Sequence, residues 1–256
     1  MADNALNTML SRDDRLLSLT LNRPKANIID AEMIGLLQDG LAEHLDNPRL
    51  SAVLIEAQGP NFSFGASVPE HLPEQCAAML ASLHRLVLTL VEAPVPVLCS
   101  VRGMCLGGGL ELALGSNLIF AAPDAGFGQP EIKLAVFAPA ASCLLPERIG
   151  RGNAADLLFS GRTIDADTAL RWGLVQFVDE SPDEAARRYF DEHLAPRSAF
   201  ALRQAVRAAR GDLAQRLKTE LDRVENQYVD ELMTGRDPLE GLNAFIEKRQ
   251  PAWEHC

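Results

Sequence analysis

An apolar, strand-like run from Val95 to Val101 leads almost directly into three consecutive glycines, Gly107, Gly108 and Gly109, and these open a second apolar run, Leu110 to Leu114. This junction restricts the chain more than any other stretch. Glycine at a helix start lets other atoms approach the backbone closely. The first N–H groups of a helix have no intrahelical partner, and the helix dipole favours negative charge beside them. Such an end suits a developing oxyanion. Glu111 follows Gly108 by one turn, on the same helix face. Its neighbours are apolar all round, so the segment is expected to be buried. A buried carboxylate is costly, and desolvation raises its pKa. An acid that only complements the helix N-terminus is the plainer reading of the same residue.

A second acid, Glu131, lies twenty residues beyond Glu111 and directly after Pro130. Proline suits the first position of a helix, and an adjacent acid suits the dipole. Taken alone, Glu131 therefore reads as a helix-start residue. Paired with Glu111, it supplies a second carboxylate in a different environment, the arrangement that divides acid and base roles.

The remainder of the first half repeats the strand-to-helix theme. Arg15 to Leu21 alternates as a strand does, and Asp30 is placed to cap an amphipathic helix over Ala31 to Leu45. Ser51 to Ala57 reads as a buried strand closed by Gly59-Pro60. The segment NFSFGAS follows, with Gly65 marking a tight turn, then a long helix over Pro73 to Val91 and a short strand over Leu118 to Ala122. Alternating strands and helices imply parallel strands joined by crossovers, an α/β fold. Ligands in such sheets sit where strands end and helices begin. The Gly65 turn and the Gly107 to Gly109 turn are both junctions of that kind.

From Ala140 onward helical spacing dominates: Asn153 to Phe159, Asp165 to Trp172, Asp183 to Leu194, Ser198 to Arg210, Leu213 to Met233 and Leu239 to Lys248, with a short strand at Leu174 to Val178. No repeat or low-complexity linker separates the halves. The helical half reads as a continuation of the core or as a surface for self-association.

A net charge of −11 with no compensating basic cluster argues against nonspecific nucleic-acid binding. The first residues lack the pattern of a secretion signal, and no window reaches the length of a membrane span, so a cytoplasmic protein is expected. The five cysteines, Cys76, Cys99, Cys105, Cys143 and Cys256, show no metal-ligand spacing and read as free thiols. Cys105 beside the glycines is a candidate nucleophile only by position, having no His or Asp near it in sequence. His44, His84, His193 and His255 read as solvated. His71, after the Gly65 turn, reads as structural, with pocket lining as the alternative.

The motifs LNRPKA, NFSFGAS, MCLGGGLELA, FGQPEI, LLFSGRTIDADTALRWGLV and GLNAFIEKRQPAW, in this order and spacing, resemble the crotonase, or enoyl-CoA hydratase/isomerase, family over almost the whole chain. The resemblance implies a spiral of strand–strand–helix turns, with a catalytic core over residues 1–195 and a C-terminal helical trimerisation region over residues 196–256 of the same fold. It implies acyl-CoA thioester substrates, no metal or separate cofactor, no membrane partner, and assembly as a trimer or hexamer. The N–H groups of Ala66 and Gly108 match the family's oxyanion hole. Glu111 and Glu131 match the two carboxylates of its hydratases. Lys25, Ala26, Phe64, Gly65, Ser67 and Val68 match segments that hold coenzyme A. Phe245 and Lys248 match a helix that reaches a neighbour's coenzyme A, or else form an ordinary amphipathic surface.

Two departures stand out. Ser67 replaces a small acid after the oxyanion alanine, and Pro139 occupies the place of a glycine whose N–H helps to hold water. Proline has no N–H. SFGASVPEH, QPEIKLAVFAPAASCLLPERIG and DPLEGLNAFIEKR resemble the subgroup that hydrates cyclic dienoyl-CoA thioesters in anaerobic benzoyl-CoA degradation. That resemblance implies addition of water to cyclohexa-1,5-diene-1-carbonyl-CoA. A general enoyl-CoA hydratase of fatty-acid β-oxidation and a noncatalytic acyl-CoA-binding protein are the alternatives.

Overall fold

The computed structural model describes residues 4–256. Its elements, in chain order, begin with β1 (Leu6–Ser11), β2 (Leu16–Leu21), α1 (Ala31–His44), β3 (Ala52–Ala57), α2 (Cys76–Glu92), β4 (Val97–Val101), β5 (Met104–Leu106) and α3 (Gly108–Leu114). They continue with β6 (Leu118–Ala121), β7 (Gly126–Gly128), α4 (Pro139–Ser160), β8 (Thr163–Asp165), α5 (Ala166–Trp172) and β9 (Phe177–Val178). Helices α6 (Pro182–Tyr189), α7 (Ala199–Arg210), α8 (Leu213–Asn226) and α9 (Arg236–Ile246) complete the chain.

Among these residues a six-stranded sheet runs β1-β2-β3-β4-β6-β9, and a small sheet runs β5-β7-β8. The β2–β3, β3–β4, β4–β6 and β6–β9 pairs are parallel, as the alternation of strands and helices requires. Pairing is in phase: Val53 and Ile55 lie beside Val97 and Cys99. One face of the large sheet, with Leu17, Leu19, Leu21, Val53, Ile55 and Val101, packs into the main core under α1, α2 and α3. The other face, with Leu16, Ala52, Leu54, Leu98 and Phe120, packs against Ala186 and Phe190. Both faces are covered, which explains the near-continuous apolar strands.

Local chemistry sets the element ends. Asp30 accepts the Met33 N–H at 2.9 Å and starts α1; Asp165 does the same for α5 through Thr168 at 2.8 Å. Helix α4 starts on Pro139 and breaks at Gly150, whose φ of 76° is not helical. Several elements differ from the sequence reading. The long second helix begins at Cys76, after a 3-10 turn over Val68–His71. Strand β9 covers only Phe177–Val178 of the expected Leu174 to Val178. The expected helices over Asp183 to Leu194 and Leu213 to Met233 each end in a π-turn, Phe190–Leu194 and Gln227–Glu231. Strands β1, β5, β7 and β8 escape periodicity because three of them are only three residues long and β1 is an edge strand with exposed Met9.

The C-terminal helices join the same core, with Leu217, Leu221 and Val224 of α8 buried in its main cluster. No helix among the described residues is long and apolar enough to cross a membrane.

Candidate active site

The carboxyl ends of the parallel strands bring together the segments that the sequence singled out. After β2 the chain passes through Lys25 and Ala26, and the Ala26 carbonyl accepts the Phe64 N–H at 2.9 Å. After β3, the turn at Gly65 is held by the Ser63 hydroxyl, which accepts the Gly65 N–H at 3.0 Å and donates to the Asn27 carbonyl at 2.8 Å. After β4 come β5 and the three glycines.

Glycine is required at this last junction for steric reasons. Gly107 has φ +51°, and a methyl built there would meet Oε1 of Glu131 at 2.5 Å. On Gly108 it would meet the Ala66 nitrogen at 3.0 Å, and on Gly109 the Ser63 Cβ at 2.6 Å. The absence of side chains at these positions thus lets the Gly65 turn, the start of α3 and the Glu131 carboxylate converge. Neither the Ala66 N–H nor the Gly108 N–H donates to a backbone acceptor among the described residues, although Ile29 pairs with both neighbours of Ala66. These two close, unpaired N–H groups, one in the Gly65 turn and one at the start of α3, form an anion-binding corner.

A cavity of about 240 Å³ opens in front of this corner. Gly65, Ala66, Gly107 and Gly108 form one side, with Glu111 and Glu131 beside them. Phe64, Val68, Leu80, Leu83, Val136, Phe137 and Pro139 make an apolar wall, and Leu242 and Phe245 of α9 close it. His71 also lines it, with Nδ1 2.8 Å from the Ser67 carbonyl; burial pushes the His71 pKa down. The buried portion of the wall continues into a cluster of Cys76, Met79, Leu80, Val136, Tyr228 and Leu242.

The two carboxylates have different supports. Glu111 is 3% exposed, and its Oε1 accepts the Ala141 N–H at 2.9 Å. Burial raises its pKa, while the charge of His84 and the N–H groups of Ala141 and Ala140 oppose that rise. Glu131 stands in a 3-10 turn over Pro130–Leu134. Burial and the neighbouring Glu111 push its pKa up to about 8. Gln129, 1% exposed, lies against it; with its amide nitrogen turned to the carboxylate it donates at 3.1 and 3.0 Å.

Ala66, Gly108, Glu111, Glu131, Phe64, Gly65, Val68, Pro139 and Phe245 therefore share one cavity. Lys25, Ala26, Ser67 and Lys248 do not line it. Lys25 is exposed and Ala26 half-buried, joined to the cavity through the Phe64 turn. Lys248 lines a shallow neighbouring hollow with Phe245 and Pro69. The resemblance places Phe245 at a neighbour's site; here it lines the cavity of its own chain. His84 is a correction: it is buried, not solvated, because it falls among Leu80, Leu83, Leu86 and Val87 on the inner face of α2. Helical spacing alone carries that signal. Gln129 also escaped the sequence reading, although a lone amide beside Pro130 and an acid is a visible cue. Cys105 is fully buried and burial raises its thiol pKa strongly, which removes it as a nucleophile.

One corner of two unpaired backbone N–H groups, a pair of buried carboxylates whose pKa values are both raised, and an apolar cavity make a site suited to acid–base chemistry at a polarised carbonyl. The chain belongs to the enoyl-CoA hydratase/isomerase family, whose pattern matches residues 11–255. It is 58% identical to the cyclohexa-1,5-dienecarbonyl-CoA hydratase of Thauera aromatica, over 99% of this chain and 98% of that protein. It is 32% identical to the crotonyl-CoA hydratase of Syntrophomonas wolfei, over 95% and 96% of the two chains. Among solved structures, an enoyl-CoA hydratase from Mycobacterium avium subsp. paratuberculosis superposes with a TM-score of 0.85 at 27% identity, covering 98% of each chain.

Proposed function

We propose that this chain hydrates cyclohexa-1,5-diene-1-carbonyl-CoA to 6-hydroxycyclohex-1-ene-1-carbonyl-CoA in anaerobic benzoyl-CoA degradation. The observation that carries the reading is the 58% identity to a hydratase of that substrate along nearly the whole of both chains. The site supplies a matching chemistry. The thioester oxygen sits at the Ala66 and Gly108 N–H groups, which stabilise negative charge as it develops. Glu111 holds a water and takes one of its protons. The hydroxyl adds to the ring carbon β to the thioester, giving a dienolate. Glu131, protonated up to about pH 8, delivers its proton to the far end of the former diene. A proton then passes from Glu111 back to Glu131 before the next turnover. The scheme uses no metal and no cofactor beyond the coenzyme A of the substrate.

Phe64, Val136, Phe137 and Pro139 give the acyl group a rigid apolar surface suited to a flat ring. Lys25, Ala26 and Ser67, with Lys248 on the adjoining hollow, are assigned to the coenzyme A portion. The expected result is a much higher kcat/KM for the cyclic dienoyl-CoA than for crotonyl-CoA. Comparable efficiency on both would leave a general enoyl-CoA hydratase. Binding without turnover of either would leave an acyl-CoA-binding protein.

Self-association into a trimer or hexamer belongs to the same proposal. Phe159 on α4 and Phe200 on α7 are 77% and 72% exposed, an unusual placement for aromatic rings on a monomer. Light scattering should give a mass of three or six chains at micromolar concentration, and a stable monomer would refute the assembly.

A further inference from the structure

Among the described residues, the side chains with polar atoms that line the cavity are Glu111, Glu131, Lys133 and His71. The two carboxylates carry the proposed acid–base chemistry, and Lys133 is exposed. His71 ends the 3-10 turn Val68–His71, a few residues beyond the Ala66 N–H, and the proposed scheme makes no use of it. Its Nδ1 lies 2.8 Å from the Ser67 carbonyl oxygen. A carbonyl can only accept, so Nδ1 carries a proton, and the neutral ring offers Nε2 as a bare acceptor. Burial lowers the His71 pKa and the Ser67 carbonyl only partly opposes this, so the ring is neutral at pH 7. Nε2 makes no hydrogen bond among the described residues, yet it is not sealed inside the protein as the unpartnered Nε2 of His84 is. The adjacent Glu70 is engaged elsewhere, accepting the Ala31 N–H at 3.1 Å. The cavity thus contains a fixed acceptor, set among Val68, Leu80 and Leu83, that has nothing to accept from the protein itself.

We propose that His71 is a specificity-determining residue: its Nε2 accepts a hydrogen bond from a hydroxyl group on the acyl ring, so the cavity prefers a hydroxylated cyclic acyl-CoA thioester to the same ring without the hydroxyl. The inference rests on reading the cavity as the site of cyclic dienoyl-CoA hydration.

The chemistry of that reaction calls for such an acceptor. Hydration leaves one O–H of the added water on the ring carbon β to the thioester. Glu111 ends the addition holding the water's other proton, so it is a weaker acceptor for the O–H that remains. A hydroxyl held in an apolar cavity without an acceptor is costly. The dienoyl ring itself carries no O–H or N–H, whereas the hydrated ring carries one. A site built to pair with a ligand hydroxyl discriminates against the analogue that lacks it, because the protein group is then left unpaired. The apolar wall accepts either ring, and Nε2 tells them apart.

The test is calorimetric binding of 2-hydroxycyclohexane-1-carbonyl-CoA and cyclohexanecarbonyl-CoA, which differ by that hydroxyl. The unmodified protein, His71→Phe and His71→Gln are titrated, and turnover of the cyclic dienoyl-CoA by the unmodified protein is measured alongside. The unmodified protein should bind the hydroxylated thioester about 5-fold more tightly. His71→Phe keeps a flat ring but removes the acceptor. It should abolish the preference by weakening the hydroxylated thioester alone, with the Kd of the other held within about 2-fold. His71→Met, an apolar chain of similar length, serves if the phenylalanine variant does not fold. His71→Gln places a side-chain carbonyl near the position of Nε2 and should restore part of the preference. Equal affinity of the unmodified protein for both thioesters overturns the inference, as does a preference that survives in His71→Phe. An equal loss for both thioesters also overturns it, and leaves His71 packing against a part that they share. A preference lost in His71→Phe, in a protein that does not turn over the dienoyl-CoA, overturns the hydration reading while the acceptor role stands.

Discussion

Glu111 and Glu131 reach one cavity from two unlike regions. Glu111 comes from within an apolar helix, and the start of α4 meets it with the Ala141 N–H at 2.9 Å. Glu131 comes from a short 3-10 turn, with its carboxylate pressed over the bare Cα of Gly107 and beside Gln129. Burial raises the pKa of the first, and the N–H groups at the start of α4 oppose that rise. Burial and the charge of the first keep a proton on the second up to about pH 8. In the proposed scheme these two identical side chains divide base and acid duties through their surroundings.

Removing either carboxylate is the strongest way to break this division. Glu111→Gln and Glu131→Gln should each lower kcat by roughly 10²–10⁴-fold, with thioester binding largely kept. Steady-state turnover together with a binding isotherm checks this, and near-normal hydration by a folded variant removes that residue from the mechanism. A methyl at Gly107 attacks the division through geometry. Gly107→Ala meets Oε1 of Glu131 at 2.5 Å and sits at a φ of +51°. Displacing the acid in this way should cost roughly 10²-fold in kcat. Gly152→Ala, where a methyl meets nothing within 4 Å, should leave kcat unchanged and serves as the control.

The pH dependence sharpens the comparison. Activity should require Glu131 protonated, so kcat/KM should fall as pH rises through about 8. The same group affects stability with a defined sign. Its folded pKa lies above its unfolded value, so the folded state holds a proton that the unfolded state has released. Stability therefore decreases as pH rises from the ordinary carboxylate range to about 8. Denaturant titrations across that range should show the decrease, and Glu131→Gln should flatten it. Pro139→Gly should give the smallest effect. It restores an N–H at the first position of α4 and loosens the apolar wall, and it should narrow the preference for the cyclic dienoyl-CoA over crotonyl-CoA several-fold, by roughly 1 kcal/mol or less. An unchanged ratio would mean that Pro139 does not select the acyl group.

Much of this site is legible in the sequence because its parts are local. Three glycines after a strand, an acid one turn into an apolar helix, and a turn at Gly65 are each short-range patterns with a short-range physical cause. The parallel sheet follows from alternation, since parallel neighbours need crossovers. The N-cap Asp30 reads the same way in sequence and structure.

What only the tertiary structure decided is the company each side chain keeps. Pro139 reads in sequence as a lost donor; in the fold it is the first residue of α4, and the N–H two residues later holds Glu111. His84 reads as one more polar residue of a helix; packing of α2 against α8 buries it on Glu225, which is 141 residues away in sequence. Phe245 closes the cavity of its own chain because α9 returns to it. Sequence patterns carry the periodicity and the backbone freedom of each segment. The pKa of a carboxylate depends on which distant groups share its low-dielectric surroundings, and those are fixed only when the segments pack.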